Sequence, residues 1–88
     1  MKFIICYQEY NPKMADRLFM ELMAALTKNG IDIVRTSTKL MTIYTAHTYI
    51  QFVTDPIKLR GRRPDEVFTR DTIDDVLDSV LEQEGAKR

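Results

Sequence analysis

The first thirty residues place a short apolar run directly before a long helical pattern. Residues 2–7 (KFIICY) are apolar and rich in β-formers, which is typical of a buried strand. Asn11 fits a helix cap, and Pro12 fits the first turn because its missing N–H costs nothing there. Apolar residues then recur at helical spacing until Asn29–Gly30, a pair that stops a helix. The pattern therefore predicts a strand followed by a helix over residues 12–29.

The next patterns predict three or four more strands. Residues 31–37 (IDIVRTS) are typical of a strand, which would run parallel to the first strand after a right-handed crossover. Residues 40–54 alternate in two halves around Ala46–His47, which predicts two strands joined by a tight turn. Residues 65–68 (DEVF) can form a further short strand.

The last stretch, residues 71–85, predicts a helix with one apolar stripe. Thr72 and Asp75 fit a capping box at its start, and Gly85 ends the pattern. The predicted element order is therefore β-α-β-β-β-(β)-α. This order predicts an α/β (α+β) fold, with a small mixed β-sheet of four to five strands packed against two helices in a single compact domain over residues 1–88.

The charge balance limits the classes of partner. The 88 residues carry 13 basic and 13 acidic side chains, and this zero net charge argues against a generic nucleic-acid coat. The charges are segregated, however, since residues 55–70 carry five cations and three acids whereas residues 71–88 carry six acids and two cations. The electric field near one segment can therefore attract a charged partner, although the net charge of the whole chain is zero.

The expected compartment is the cytoplasm. A single cysteine, Cys6, excludes an intrachain disulfide and fits a reducing environment. The opening apolar run is too short for a signal-peptide core, and no run approaches the length of a membrane span. We therefore expect a cytoplasmic protein that makes no membrane contact.

Most residue types that carry chemistry have a simpler interpretation in this chain. His47 is interpreted as a turn residue and Cys6 as a small core residue, since nothing places them together as a catalytic pair. The aspartates of residues 71–78 fit a solvated helix face, and the methionines of the first helix fit core packing or a dimer seam. No spacing matches a metal site or a glycine-rich phosphate loop, so we expect no catalytic residue, no metal and no cofactor.

The segment KLRGRR, residues 58–63, is the strongest candidate for a binding site. It offers many charged N–H donors around a glycine, which permits unusual backbone geometry or the close approach of a partner. The candidate binding residues are Lys58, Arg60, Gly61, Arg62, Arg63 and the next cation along the chain, Arg70.

Two interpretations of this basic loop compete. The cations can pair with the acidic helix or face water, or they can contact a phosphate-bearing or acidic partner. We favour the contact surface over a structural role, because four neighbouring like charges repel one another until a counter-charged partner relieves them. The loop contains no aromatic residue, which argues against base stacking on a single strand.

Residues 2–71 resemble the ATPase domain of phage terminase large subunits, in the region between the nucleotide-binding loop and the acidic metal-binding strand. The resemblance rests on a strand and helix like KFIICYQEYNPKMADRLFMELMAALTKNG and a hairpin like TIYTAHTYIQFVT. Its most specific part is the turn KLRGRRPD, which leads into an apolar strand. The resemblance implies phage or prophage ancestry and a mixed α/β sheet.

The chain departs from that family at the residues that hydrolysis needs. The nucleotide-binding loop would lie before residue 2, and the metal-binding aspartate and catalytic glutamate would fall on Arg70 and Asp71. Arginine is a permanent cation without an acceptor atom, so Arg70 cannot coordinate Mg²⁺. Because hydrolysis needs a phosphate cradle, a metal and an oriented water, we expect no ATPase activity.

These observations predict a non-catalytic phage- or prophage-type binding protein that contacts nucleic acid, or another phosphate-bearing or acidic partner, through residues 58–63. The alternative is a protein–protein modulator or inhibitor of a host or packaging enzyme, and a minimal enzyme is the third hypothesis. A homodimer is also predicted, since a small domain with a helix that is apolar around much of its circumference has surface to cover.

Overall fold

The computed structural model describes residues 1–85, which form a five-stranded sheet, two α-helices and a short 3-10 helix. The elements in chain order are β1 (Lys2–Tyr7), α1 (Pro12–Lys28), β2 (Arg35–Ser37), β3 (Thr42–Tyr44), β4 (Thr48–Val53), the 3-10 helix (Pro56–Leu59), β5 (Glu66–Phe68) and α2 (Asp74–Gln83). The predicted fold class is confirmed. The predicted domain also includes residues 86–88, which lie outside the described residues. Neither α-helix of the described chain is long and apolar enough to cross a bilayer.

The strands lie in the order β2-β3-β4-β1-β5. β1 pairs in parallel with β4 on one side and with β5 on the other, so that Ile4 lies opposite both Ile50 and Glu66. β3 pairs antiparallel with both β4 and β2. β2 therefore runs in the same direction as β1, as the crossover predicted, but two strands separate them.

Helix α1 begins at Pro12, as the sequence predicted, and ends at Lys28, one residue before the predicted end. Asn11 Oδ1 accepts a hydrogen bond from the N–H of Met14 at 3.2 Å and so caps the first turn. At the other end, Gly30 adopts φ +77°, and the N–H of Ile31 donates to the Leu26 carbonyl at 2.9 Å. This bond closes the last turn in the manner expected of a glycine stop.

The second strand is shorter than predicted. The sequence predicts a strand over residues 31–37, but only Arg35–Ser37 pair with β3. Ile31 is used in closing α1, and both Ile31 and Ile33 pack half-buried against the core from outside the strand ladder. Ile31 and Ile33 therefore serve helix closure and core packing rather than strand pairing, whereas Val34 is exposed and its N–H donates to the Tyr44 carbonyl of β3 at 2.8 Å.

The remaining strands confirm the predicted hairpin and the short fifth strand. β3 and β4 join through a turn at Ala46–His47, and the N–H of Thr45 donates to the Thr48 carbonyl at 2.9 Å. Asp65 fixes β5 against β1, because its Oδ2 accepts from the N–H of Phe3 at 2.7 Å and its own N–H donates to the Phe3 carbonyl at 2.8 Å. A polar residue directly before β5 thus sets the register of that strand.

The capping box predicted for the second helix is wrong. α2 begins at Asp74 with Ile73 in the cap position, so Thr72 lies one residue too early to cap it, and the Ile73 side chain cannot. Asp75 accepts a hydrogen bond from Arg70 Nη1 at 3.2 Å instead of bonding backwards to the cap. The helix start still benefits from two acids in its first turn, which lie near the positive end of the helix dipole.

Both helices pack on the same face of the sheet. The core joins alternate side chains of β1 and β4, which are Ile4, Cys6, Ile50 and Phe52, to Ile43 of β3. The helical members of the core are Ala15, Leu18, Phe19, Leu22, Leu26, Val76, Leu77, Val80 and Leu81, each at most 3% exposed. The opposite face, which we call the open face, is not covered by α1 or α2, but Ile5 and Val53, which alternate with the core residues, are buried there at 0% and 3% exposure.

Candidate functional site

The basic loop, residues 58–63, begins in the 3-10 helix that follows β4. Asp55 caps this helix, since its Oδ1 accepts from the N–H of Ile57 at 3.0 Å. Gly61 then turns the chain with φ +73°, and a Cβ placed there would meet no atom within 4 Å. The glycine therefore serves backbone geometry, one of its two predicted uses, in a loop that faces solvent.

All four cations in the loop are exposed, and none of them has an acidic partner in the described chain. Within residues 1–85, Lys58, Arg60 and Arg63 form no ion pair with a carboxylate. Among the described residues no ion pair joins these three cations to an acid of α2, although the sequence left that arrangement open. The loop therefore presents a local excess of positive charge.

Arg62 differs from its neighbours because the sheet holds it. Its Nη1 donates to Oε1 of Gln51, a neutral acceptor on the open face of β4. Burial raises the pKa of the Tyr49 phenol, Tyr44 adds to the rise, and Arg62 opposes it, so the guanidinium also lies close to this ring. Arg62 thus anchors the loop to the open face without its charge being neutralised.

Arg70, the sixth candidate binding residue, lies apart from the loop. It follows β5, where Nε2 of the buried Gln8 donates to the Arg70 carbonyl at 2.8 Å and to the Thr69 carbonyl at 3.3 Å. Its guanidinium pairs with Asp75 at 3.2 Å. The structure therefore groups five of the candidate residues in one loop and gives the sixth an acidic partner in α2.

A cleft beside the loop adds a cation that the sequence analysis missed. The cleft has a volume of about 390 Å³ and lies at the carboxyl end of β4, between the turn before β3 and the 3-10 helix. Lys39, Lys58 and Arg62 line it, together with Asp55. Lys39 belongs to a separate turn, and no local pattern in the sequence connects it to the loop.

A row of aromatic rings crosses the open face of the sheet. Phe3, Tyr49 and Tyr44 stack in turn, with ring centroids 5.1 Å and 4.4 Å apart and interplanar angles of 11° and 2°. Arg35 of β2 covers Tyr44 at 5.2 Å from its centroid. Since the rings face one another across the strands, the row stabilises the sheet, and the facing sides of these rings are not free for stacking.

His47 and Cys6 occupy the places expected of structural residues. His47 lies exposed in the turn between β3 and β4, and its N–H donates to Glu84 Oε1 at 3.0 Å. Cys6 is 3% exposed, and burial raises the pKa of its thiol to about 12, so the nucleophilic thiolate is scarce at neutral pH. Among the described residues, no group of three His, Cys, Asp or Glu side chains is placed to hold a metal ion.

Comparisons with known proteins leave the function to be argued from this geometry. No protein-family model, curated protein or solved structure matches the chain. The terminase resemblance therefore stays a prediction that rests on the residues quoted for it.

Proposed function

We propose that this chain is a non-catalytic binding protein of phage or prophage type, whose basic loop contacts the phosphates of nucleic acid. The observation that carries the proposal is the group of exposed cations, Lys58, Arg60 and Arg63, which have no carboxylate partner in the described part of the chain. The planar guanidinium of arginine offers charged N–H donors that match phosphate oxygens, and lysine adds a compact point charge.

The attachment of the loop also supports binding. The bond from Arg62 to Gln51 holds the second half of the loop on the sheet, and the cap that Asp55 provides holds the 3-10 helix before it. A loop held at both sides presents its cations in a restricted set of arrangements. Less conformational entropy is then lost when a partner binds.

The proposal is tested by anisotropy titrations of a fluorescent oligonucleotide over a series of salt concentrations. Binding to phosphates releases counterions, so the logarithm of the association constant falls linearly with the logarithm of the salt concentration. Arg60→Gln removes one exposed guanidinium. We expect it to weaken binding to all sequences alike and to lower the magnitude of the salt slope by about 1.

Lys28→Gln is the matched control for this substitution. Lys28 is an exposed cation at the opposite end of α1 from Pro12, about 24 Å along the helix axis, and Pro12 lines the cleft beside the loop. The control removes the same charge and should leave the slope unchanged. Equal losses in both variants would indicate general electrostatic attraction, and absence of binding at about 50 mM salt would reject nucleic acid as the partner.

The second candidate function is contact with another protein, as a modulator or inhibitor of a host or packaging enzyme. Exposed apolar side chains beside the cations favour it, since Ile57 is 67% exposed directly before Lys58 and Leu40 is 63% exposed on the cleft. A protein that is retained by the wild-type chain but not by Arg60→Gln, in the absence of oligonucleotide binding, would support this function over the first.

The non-catalytic part of the proposal is tested by ATP turnover. The terminase resemblance makes ATP the nucleotide to measure, because Arg70 stands where that family has its metal-binding aspartate. With Mg²⁺, ATP and a high protein concentration, we expect turnover at the level of the buffer alone. Turnover above that level that is lost in Asp71→Ala would contradict the proposal.

A further inference from the structure

We infer that the cleft beside the basic loop binds one nucleotide unit of a single nucleic-acid strand. This inference rests on the proposed function and adds the place where the strand enters and the form of nucleic acid that is preferred. The cleft lies outside the carboxyl end of β4, which runs parallel to β1.

The charge of the cleft suits a phosphate. Lys39 and Lys58 reach it from two separate segments and form no ion pair with a carboxylate in the described chain, and Arg62 donates there to the neutral Gln51. Asp55 is the acid that lines the cleft, and one of its carboxylate oxygens already accepts the N–H of Ile57. Three cations therefore face one acid, which leaves an excess of positive charge for an anion.

An apolar wall stands beside these cations. Leu40 is 63% exposed and lines the cleft next to Met41. Met41 is held at φ +54°, an uncommon conformation for a residue other than glycine, and its carbonyl accepts the N–H of Phe52 at 2.9 Å. This bond fixes the wall to β4. A nucleotide has the matching pair of groups, since its phosphate suits the cations and the face of its base suits the apolar wall.

The size of the cleft favours a single strand over a duplex. A volume of about 390 Å³ falls at the lower end of the range for small-ligand sites. A base that is paired and stacked in a double helix cannot leave it to enter such a cleft without a cost in free energy, whereas the bases of a single strand are free to be splayed out. Duplex phosphates can still reach the exposed loop, so we expect weaker duplex binding that depends on the loop alone.

The test compares a fluorescein-labelled single-stranded oligonucleotide with the duplex of the same sequence. Lys39→Gln removes a cation of the cleft that is not part of the basic loop, and it should lower the magnitude of the single-strand salt slope by about 0.7. Leu40→Ser removes the apolar wall without a charge, so it should weaken single-strand binding several-fold, leave the salt slope unchanged and leave duplex binding unchanged. Lys28→Gln serves again as the control.

The wild-type chain provides a second measurement. Backbone amide resonances of residues 39–41 should shift when the single strand is added, and by less when the duplex is added. Free mononucleotide and inorganic phosphate are added as competitors, because each of them could supply a phosphate to the cleft in place of the strand. Tighter binding of free mononucleotide than of the strand would overturn the assignment to a strand.

The outcomes separate this inference from the proposed function. If Arg60→Gln weakens binding while Lys39→Gln behaves like Lys28→Gln, the loop binds nucleic acid and the cleft assignment is overturned. Duplex binding equal to single-strand binding would overturn it as well. If the wild-type chain binds no oligonucleotide, the proposed function fails and the cleft assignment fails with it.

Discussion

At the scale of single residues, Arg60 and Arg62 lie two positions apart but have different environments. Arg60 is exposed and without an acidic partner in the described chain, whereas Arg62 donates to Gln51. We expect Arg60→Ala to change the free energy of unfolding by less than about 0.5 kcal/mol, as for most surface substitutions. Arg62→Ala should cost about 0.5–1.5 kcal/mol, because one hydrogen bond is lost. Urea denaturation of the two variants measures the difference.

The double variant tests whether the whole loop is structural. The sequence predicts a contact surface, so Arg60→Ala combined with Arg62→Ala should lose binding while the melting temperature falls by about 3–8 °C, which is the cost of the one bond from Arg62 to Gln51. A fall of about 10 °C or more corresponds to roughly 2 kcal/mol in a domain of this size. A fall that large would mean that the loop holds the fold together and would contradict the contact surface.

Glu66 gives the chain a residue whose effect on stability depends on pH. Its carboxylate accepts a hydrogen bond from Lys2 Nζ and another from Ser79 Oγ, the latter at 2.7 Å. Both bonds lower the pKa of Glu66 below its ordinary value of 4.5, and the bond with Lys2 has the larger effect. A carboxylate whose pKa is lowered by folding stabilises the fold above its unfolded pKa, and this contribution is lost as the pH falls through the folded value.

Glu66→Gln tests this pH dependence. At pH 7 the variant should melt at a lower temperature than the wild type, because the charged partner of Lys2 is gone. Below pH 4.5 the two melting curves should converge as the wild-type carboxylate becomes protonated. Lys2→Met should give the same pattern. A difference in melting temperature that stays constant from pH 7 down to acid would show that Glu66 acts through packing and not through its charge.

At the scale of elements, Glu84 links the end of α2 to the turn between β3 and β4. Its Oε1 accepts from the N–H of His47 at 3.0 Å, from Thr48 Oγ1 at 3.4 Å and from Thr45 Oγ1. Thr45 and Thr48 are buried, so their hydroxyls depend on partners within the chain. The link explains how the short helix α2 is positioned against a turn that lacks the glycine of a common tight hairpin.

Removing this link should destabilise the fold measurably. Glu84→Ala is expected to lower the free energy of unfolding by about 0.5–1.5 kcal/mol, because the turn loses an acceptor while the Thr45 and Thr48 hydroxyls keep their bond to each other. Glu82→Ala is the control, since it removes an exposed acid from the last turn of the same helix. Urea denaturation of both variants provides the measurement. Equal costs would mean that the acid acts through the helix and not through the turn.

At the scale of the whole molecule, self-association stays a prediction. α1 buries most of the apolar surface that motivated it, and Met20, at 59% exposure, is the large apolar residue that this helix leaves to solvent. Exposed apolar residues elsewhere, among them Val34 and Val67, still favour association. Sedimentation equilibrium at micromolar concentration should give a mass near twice that of one chain. A mass of 10.3 kDa would identify a monomer and contradict the prediction.

The sequence by itself determined the elements whose signals are local. The cap at Asn11, the stop at Gly30 and the hairpin turn at Ala46–His47 each depend on a few neighbouring residues, and all three lie where the patterns predicted. The basic loop was predictable for the same reason, because charge density and a glycine are visible along the chain. Where a local pattern had two uses, the prediction failed, as for Ile31 and Ile33, which complete α1 and the core instead of β2.

Only the tertiary structure decided which distant residues meet. The strand order places β4 and not β2 beside β1. Each strand pairs with the sheet edge that best completes its hydrogen bonds and its apolar face. The choice of partner therefore depends on all the strands of the chain. The same packing brings Lys39 to the cleft lined by Lys58 and Arg62 and lays Arg62 on Gln51. These contacts join residues from separate segments, so no periodicity, cap or turn along the sequence could predict them.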